Sequence, residues 1–333
     1  MLWFEFILSA TIIVAAGTRL TVCADKLSDR LQLGKVWIGV VLLGLVTSLP
    51  EAITSLTAVI SLRSYDLAVG NLLGSNAINP MLTVIMDLLY RRGSVTDAVK
   101  PNRSHTVSAG FAILLTATVA AEILWAGRFP LLKVGWVSVG SVAVAVFYFF
   151  GMRRLARLSP VESVLSPLAG RGGEAGLSIP RIVAEFLAST VFVVGGGIWL
   201  ARSADAIAAL TGLGGTFFGS IFLALATSLP EMVVSLSALR LGAWDLAIGN
   251  IFGSNMTNMF ILFICDLAGA SGPLLGGVSA AHILTAVLSV LLVSVALGGI
   301  FMKNKKKFAG LGWDSWLMIV LYLSGTAALY RIR

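Results

Sequence analysis

Two glutamates stand where a chain of this kind should carry no charge. Glu51 and Glu231 each close the pentapeptide Thr-Ser-Leu-Pro-Glu, at 47–51 and 227–231, deep inside long apolar stretches. A carboxylate at mid-membrane costs about 2.5–3.5 kcal/mol on insertion scales. No Lys or Arg lies in the same stretches to pair with either one. A bound cation is the natural partner. Pro50 and Pro230 precede the glutamates. Proline removes a backbone donor and disfavours helix at the residue before it. A helix break is therefore expected around Thr47–Pro50 and Thr227–Pro230. Carbonyls freed at this depth are tolerated only where they are buried or line a cavity. Freed carbonyls, the hydroxyls of Thr47, Ser48, Thr227 and Ser228, and a carboxylate in one short segment make a hard-oxygen site.

The following stretch in each case adds amides and hydroxyls. Asn71, Ser75 and Asn79 recur every four residues, as do Asn250, Ser254 and Asn258. That spacing keeps each trio on one side of a helix. The whole set is oxygen. Ca²⁺ takes six to eight oxygen ligands in flexible geometry, whereas Mg²⁺ prefers to keep its waters. Zn²⁺ or Cu would require His or Cys, and the motifs contain neither. Two carboxylates balance one Ca²⁺, or two Na⁺ with room for a third at neutral ligands. The same glutamates can then hold one divalent ion or several monovalent ones, which is a physical route to exchange.

These motifs belong to an internal repeat. Thr-Ser-Leu-Pro-Glu recurs intact, and so does Gly-Ser-Asn at 74–76 and 253–255. Five carboxylates find counterparts: Glu5 with Glu185, Asp25 with Asp205, Glu51 with Glu231, Asp66 with Asp245, and Asp87 with Asp266. The second copy is one residue shorter in the turn before Asp245.

The elements that must hold such a site are transmembrane helices. The chain has 333 residues, of which 57% are hydrophobic and only 12% charged. A soluble domain carries roughly a quarter charged residues. A spanning helix needs about 20 mostly apolar residues. Ten stretches qualify, at about 3–22, 36–61, 67–90, 105–125, 130–152, 181–201, 215–239, 244–268, 279–302 and 312–330. The fold class expected is an all-α integral membrane protein of ten helices in two five-helix halves. The first half is 1–152, with its motif at 44–79. The second is 181–333, with its motif at 224–258. Five is odd, so the second half enters the membrane from the opposite side, giving an inverted-topology repeat. Residues 153–180 read as a cytoplasmic linker. Most of the 24 basic residues fall in the odd-numbered loops. The positive-inside rule then places both termini outside the cytoplasm. The net charge of +8 is thus a topology signal and implies no nucleic acid. The two cysteines, Cys23 and Cys265, imply no disulfide framework.

With these motifs the chain resembles the sodium/calcium exchanger family of the cation/calcium antiporters, in its compact prokaryotic form. The resemblance rests on Thr-Ser-Leu-Pro-Glu at 47–51 and 227–231 and Gly-Ser-Asn-x-x-Asn at 74–79 and 253–258, and its ten-helix plan spans nearly the whole chain. It implies Ca²⁺ and Na⁺ as transported ions, no cofactor and no enzymatic activity. It also implies a multi-pass plasma-membrane protein acting as a monomer in the bilayer. Glu51 and Glu231 would coordinate both ions. Thr47 and Thr227 would give carbonyls to Ca²⁺ and side-chain oxygens to Na⁺. Ser75 and Ser254 would hold Na⁺, Gly44 and Ala224 would offer carbonyls, and Asn79 and Asn258 would be the central polar residues. Ser48, Ser228, Pro50, Pro230, Asn71 and Asn250 would support them. Many members carry Asp at a position matching Asn79 or Asn258. Asn at both leaves two central carboxylates, which argues against K⁺ co-transport. Val46, where Gly is common, and Pro80 are further departures, and Gly44 replaces a usual Ala. Helices one and six, with Gly17 and Gly195–Gly197, would slide past a fixed core.

The alternative on the same scaffold is H⁺/Ca²⁺ exchange, since a buried glutamate can trade a proton for Ca²⁺. A non-exchanging channel or receptor is the remote one. The remaining polar residues have plainer readings. Asp66 and Asp245 read as helix N-caps. His105 and His282 read as interfacial residues, and Glu5 and Glu185 as interfacial charges. Asp87 and Asp266 read equally well as pore-mouth charges or as caps.

Overall fold

The structure is a computed structural model that describes residues 1–90, 94–165, 178–210, 225–269, 272–302, 308 and 310–332. It is nearly all helix. In chain order the helices are α1 (Leu2–Leu31), α2 (Lys35–Thr47), α3 (Leu49–Ile60), α4 (Tyr65–Leu89), α5 (Arg103–Ala126), α6 (Val139–Leu165), α7 (Ile179–Leu210), α8 (Leu229–Leu241), α9 (Trp244–Gly269), α10 (Ala281–Met302) and α11 (Trp313–Ile332). Among the described residues, eight helices are long and apolar enough to cross a membrane, or nine if the bent pair α2–α3 is one span. Part of the stretch expected at 215–239 lies outside the described residues.

Three boundaries differ from the sequence expectation. Residues 130–152 do not form one helix. A two-stranded hairpin, β1 (Lys133–Val134) and β2 (Val137–Ser138), comes first. Its turn uses Gly135 at φ 66°, a conformation glycine adopts at no steric cost. Helix α6 then continues to Leu165. The segment expected as a linker from residue 153 therefore starts as helix, because Arg153–Arg157 is rich in good helix formers. Helix α1 likewise runs to Leu31, beyond its apolar part, and stops where Gln32 turns left-handed at φ 53°.

α4 and α9, the two helices carrying the polar trios, are the most enclosed of the spans. α2 packs on α9 backbone to backbone. A Cβ added at Gly39 would sit 2.6 Å from the Leu246 carbonyl, and one at Gly253 would sit 2.5 Å from the Val40 Cα. A π turn at Gly39–Leu43 lies in this contact. α1 and α7 pack along one another, and both rest on the broken helices at glycines. A Cβ at Gly197 would lie 2.5 Å from Pro50 and 3.6 Å from Pro230, and one at Gly17 would lie 2.9 Å from Val233.

The two copies are tied together by buried polar links that recur in pairs. Asp87 accepts Val95 N–H at 2.6 Å, Gly312 N–H at 2.9 Å and the Ser315 hydroxyl at 3.0 Å. Asp266 accepts Leu274 N–H at 2.6 Å and the N–H and hydroxyl of Ser138 at 3.0 and 3.1 Å. Each carboxylate caps the turn after its own helix and also the first turns of a helix in the other copy. The cap reading holds and extends across the repeat, while the pore-mouth reading does not fit their burial. His105 Nε2 lies 2.9 Å from Asp245, and His282 Nε2 lies 3.0 Å from Asp66. His105 is fully buried, so it is no interfacial residue. Asp66 and Asp245 sit inside the first turns of α4 and α9, with the N-cap of α4 at Ser64. Glu185 is paired with Arg19 and Arg181.

Asp87→Asn and Asp266→Asn are each expected to lower stability by about 1–3 kcal/mol, because an amide must turn its NH₂ toward a buried donor. A thermal unfolding midpoint equal to that of the unaltered protein would contradict the linking role.

Candidate functional site

The two Thr-Ser-Leu-Pro-Glu segments fold alike. Ser48 interrupts the helix at φ −85° and ψ 1°, and Ser228 has φ −83° and ψ 6° before α8. α2 and α3 meet at Ser48 with a bend of 43°. Pro50 falls in the first turn of α3 and Pro230 in that of α8, where a missing N–H costs nothing. Glu51 and Glu231 follow in the same turns, at the positive end of each helix dipole. The break expected from the prolines is therefore present, and it carries each glutamate into the interior.

Glu51 is fully buried and Glu231 is 1% exposed. Neither oxygen of Glu51 has a hydrogen-bond partner, and neither does Oε2 of Glu231. The Ser48 hydroxyl reaches Glu231 Oε1 at 3.5 Å. Buried carboxylate oxygens left without partners are costly unless positive charge joins them.

The rest of the expected set converges here in part. Thr47 Oγ1 lies 3.1 Å from Ser254 Oγ and 3.3 Å from Asn250 Oδ1, so the first copy's threonine meets the second copy's polar helix. The Ser75 hydroxyl and the Oδ1 atoms of Asn79 and Asn258 are buried without a partner, as is the Ser228 hydroxyl. Thr227 is fully buried. Asn71 and Asn250 act differently. Each donates its amide to a serine on its own copy's broken helix, Ser55 or Ser235, at 3.0 Å. They brace the helix pair. Gly44 faces the Gly253–Ser254 backbone, where an added Cβ would sit 2.8 Å away. The alanine usual there in the resembling family would collide in this chain. Ala224 lies outside the described residues.

Among the described residues no three His, Cys, Asp or Glu side chains gather as a metal site. The charge at the centre is that of two glutamates, and neutral oxygens make up the rest. Such a set suits Ca²⁺ or Na⁺ and does not suit Zn²⁺. Ser55, Ser235 and the asparagines Asn76 and Asn255 escaped the sequence reading as functional positions. The intact repetition of Gly-Ser-Asn was the signal for the last two.

The model of the family described as sodium/calcium exchanger protein matches residues 1–155 and 182–331. CaxA of Alkalimonas amylolytica is 27% identical over 296 residues, covering 86% of this chain and 88% of that protein. The inner membrane protein YrbG of Escherichia coli is 29% identical over 265 residues, covering 77% and 76%. A structure of the sodium-calcium exchanger NCX_Mj soaked with Na⁺ and Ca²⁺ superposes with a TM-score of 0.73 at 17% identity, covering 98% of each chain. That likeness is one of fold. On the family match, which takes in both glutamate motifs and nearly every described helix, the chain belongs to the sodium/calcium exchanger protein family, whose members are multi-pass membrane antiporters and not enzymes.

Proposed function

We propose that this antiporter exchanges Na⁺ for Ca²⁺ by alternating access, at a mid-membrane site centred on Glu51 and Glu231. The observation that carries the reading is the set of buried oxygens left without partners. It comprises both oxygens of Glu51, one of Glu231, the Ser75 hydroxyl and the amide oxygens of Asn79 and Asn258. Thr47, Thr227 and Ser254 complete the side-chain set, and Gly44 adds a carbonyl, while Ala224, the counterpart of Gly44, lies outside the described residues. A divalent ion satisfies both glutamates at once. Two Na⁺ do the same with one charge each, so occupancy by one kind excludes the other. This competition at a shared site is what an exchanger requires.

The ten-helix, inverted-repeat plan supplies the access change. In that plan residues 1–152 and 181–333 are the two halves, joined on the cytoplasmic side, with both termini outside and the monomer as the working unit. α1 and α7 are the moving pair in this reading. They touch the broken helices through glycines, and Gly197 rests against both site prolines.

The deciding experiment is uptake of radiolabelled Ca²⁺ into proteoliposomes loaded with Na⁺, against matched vesicles loaded with choline. Uptake is expected only with Na⁺ inside. A pH jump without Na⁺ that drives equal uptake would replace Na⁺ by H⁺ as the counter-ion. Uptake without any gradient of a counter-ion would show a channel.

A further inference from the structure

The Gly-Ser-Asn asparagines are absent from the proposed ligand set, yet each bonds directly to one of its members. Asn76 and Asn255 are both fully buried. They face each other across the two copies and bond reciprocally. Asn76 Nδ2 donates to the Asn255 backbone carbonyl at 3.1 Å, and Asn255 Nδ2 donates to the Asn76 carbonyl at 3.0 Å. A backbone carbonyl can only accept, so these two bonds settle which end of each amide is nitrogen. The Oδ1 of each must then point the other way. There it receives a donor. Asn258 Nδ2 donates to Asn76 Oδ1 at 3.0 Å, and Asn79 Nδ2 donates to Asn255 Oδ1 at 2.9 Å. With the nitrogen end of each amide held by that bond, Asn79 and Asn258 turn their oxygens the other way. Those are the two amide oxygens left without a partner.

We infer that Asn76 and Asn255 are positioning residues that hold the amides of Asn79 and Asn258 oxygen-inward, so that a cation meets two acceptor oxygens. The inference rests on the proposed ion site and deepens it. The bonds form a relay from backbone carbonyl to inner asparagine to outer asparagine, and so to the ion. An amide turned the wrong way would present its partly positive NH₂ to the cation. The two orientations of the Asn79 or Asn258 amide have similar shape and volume, so packing alone would not choose between them. The inner pair makes the choice. The Asn76 carbonyl also accepts the Ser289 hydroxyl at 3.0 Å, and Asn76 Nδ2 lies 3.4 Å from Thr116 Oγ1. The inner asparagine is thereby fixed by α5 and α10 as well as by α9.

A double-mutant cycle tests this. If Asn76 acts through Asn258, the two substitutions are not additive. Equilibrium Ca²⁺ binding to the purified protein, with a thermal unfolding scan on each sample, would be measured for Asn76→Ala, Asn258→Ala and the double variant. Each single change is expected to weaken Ca²⁺ binding about tenfold, and the double variant should bind no more weakly than Asn258→Ala. The mirror cycle of Asn255→Ala with Asn79→Ala should behave the same way. A double variant whose loss is the product of the two single losses would overturn the positioning role, and so would Asn76→Ala binding like the unaltered protein. If both Asn76→Ala and Asn255→Ala fail to fold, the inner pair is a packing device and the inference falls. Glu51→Gln is measured alongside. Unchanged binding there removes the ion site itself, whatever the asparagine cycles show.

Discussion

Replacement of Glu51 by Gln is expected to abolish Ca²⁺ exchange while leaving the protein folded and somewhat more stable without ions. The shape is kept and one negative charge is lost. At an effective dielectric of about 20, two unit charges 4 Å apart interact by about 4 kcal/mol. Ca²⁺ carries two charges, so the affinity loss should be at least on the order of a hundredfold. Na⁺ carries one and should lose less. Stability should move the opposite way. Glu51 holds two buried oxygens with no hydrogen-bond partner, so in the absence of ions the variant is relieved of an uncompensated charge. Glu231→Gln should share the transport defect and gain less stability, because Ser48 already reaches one of its oxygens. Radiolabelled Ca²⁺ uptake and thermal unfolding in ion-free buffer check both halves of the expectation. Retained flux in both variants would remove the glutamates from the site.

The second large effect is expected from a single added methyl group. Gly253→Ala would place a Cβ 2.5 Å from the Val40 Cα and 2.7 Å from its carbonyl oxygen. Those are main-chain atoms, so no rotamer change relieves the clash, and α2 and α9 must separate. Overpacking of this kind costs about 1–3 kcal/mol, occasionally more. Separation would also pull Thr47 away from Ser254, one residue along from the added methyl. Gly253→Ala should therefore lower both the unfolding midpoint and the apparent Na⁺ affinity. A variant with unaltered stability would mean that the two helices have slack between them.

Much of this was legible in the sequence, for identifiable reasons. Pro50 and Pro230 act locally, so the breaks at Ser48 and Ser228 could be placed without tertiary information. The four-residue spacing of Asn71, Ser75 and Asn79 is also a local signal, and its repetition at 250–258 removed chance as an explanation. What stayed hidden was long-range. His105 and Asp245 lie 140 positions apart, and His282 and Asp66 lie 216 apart. No local pattern announces such a pair, so each residue looked like an ordinary helix-end group. Asn71 and Asn76 are similar amides on one helix, yet one braces a neighbouring serine and the other locks the opposite copy. Only the facing helix distinguishes them. The start of α6 was misplaced for a different reason. The hairpin before it adjoins the helix without a polar break and mixes valines with other residues, and hydropathy does not separate strand from helix over so short a run.

The links made by Asp87 carry a consequence for how the chain is assembled. Its first partner, Val95, is eight positions away, but Gly312 and Ser315 are 225 and 228 positions downstream. A carboxylate that waits that long is inserted into the membrane well before its last donors are synthesised. The first copy cannot reach its final packing by itself, however regular its helices are. Contacts this distant in sequence form late, and the interval leaves α4 with an incompletely compensated charge. A chain stopped before α11 would lack the donors of Gly312 and Ser315 altogether and keep that charge incompletely compensated.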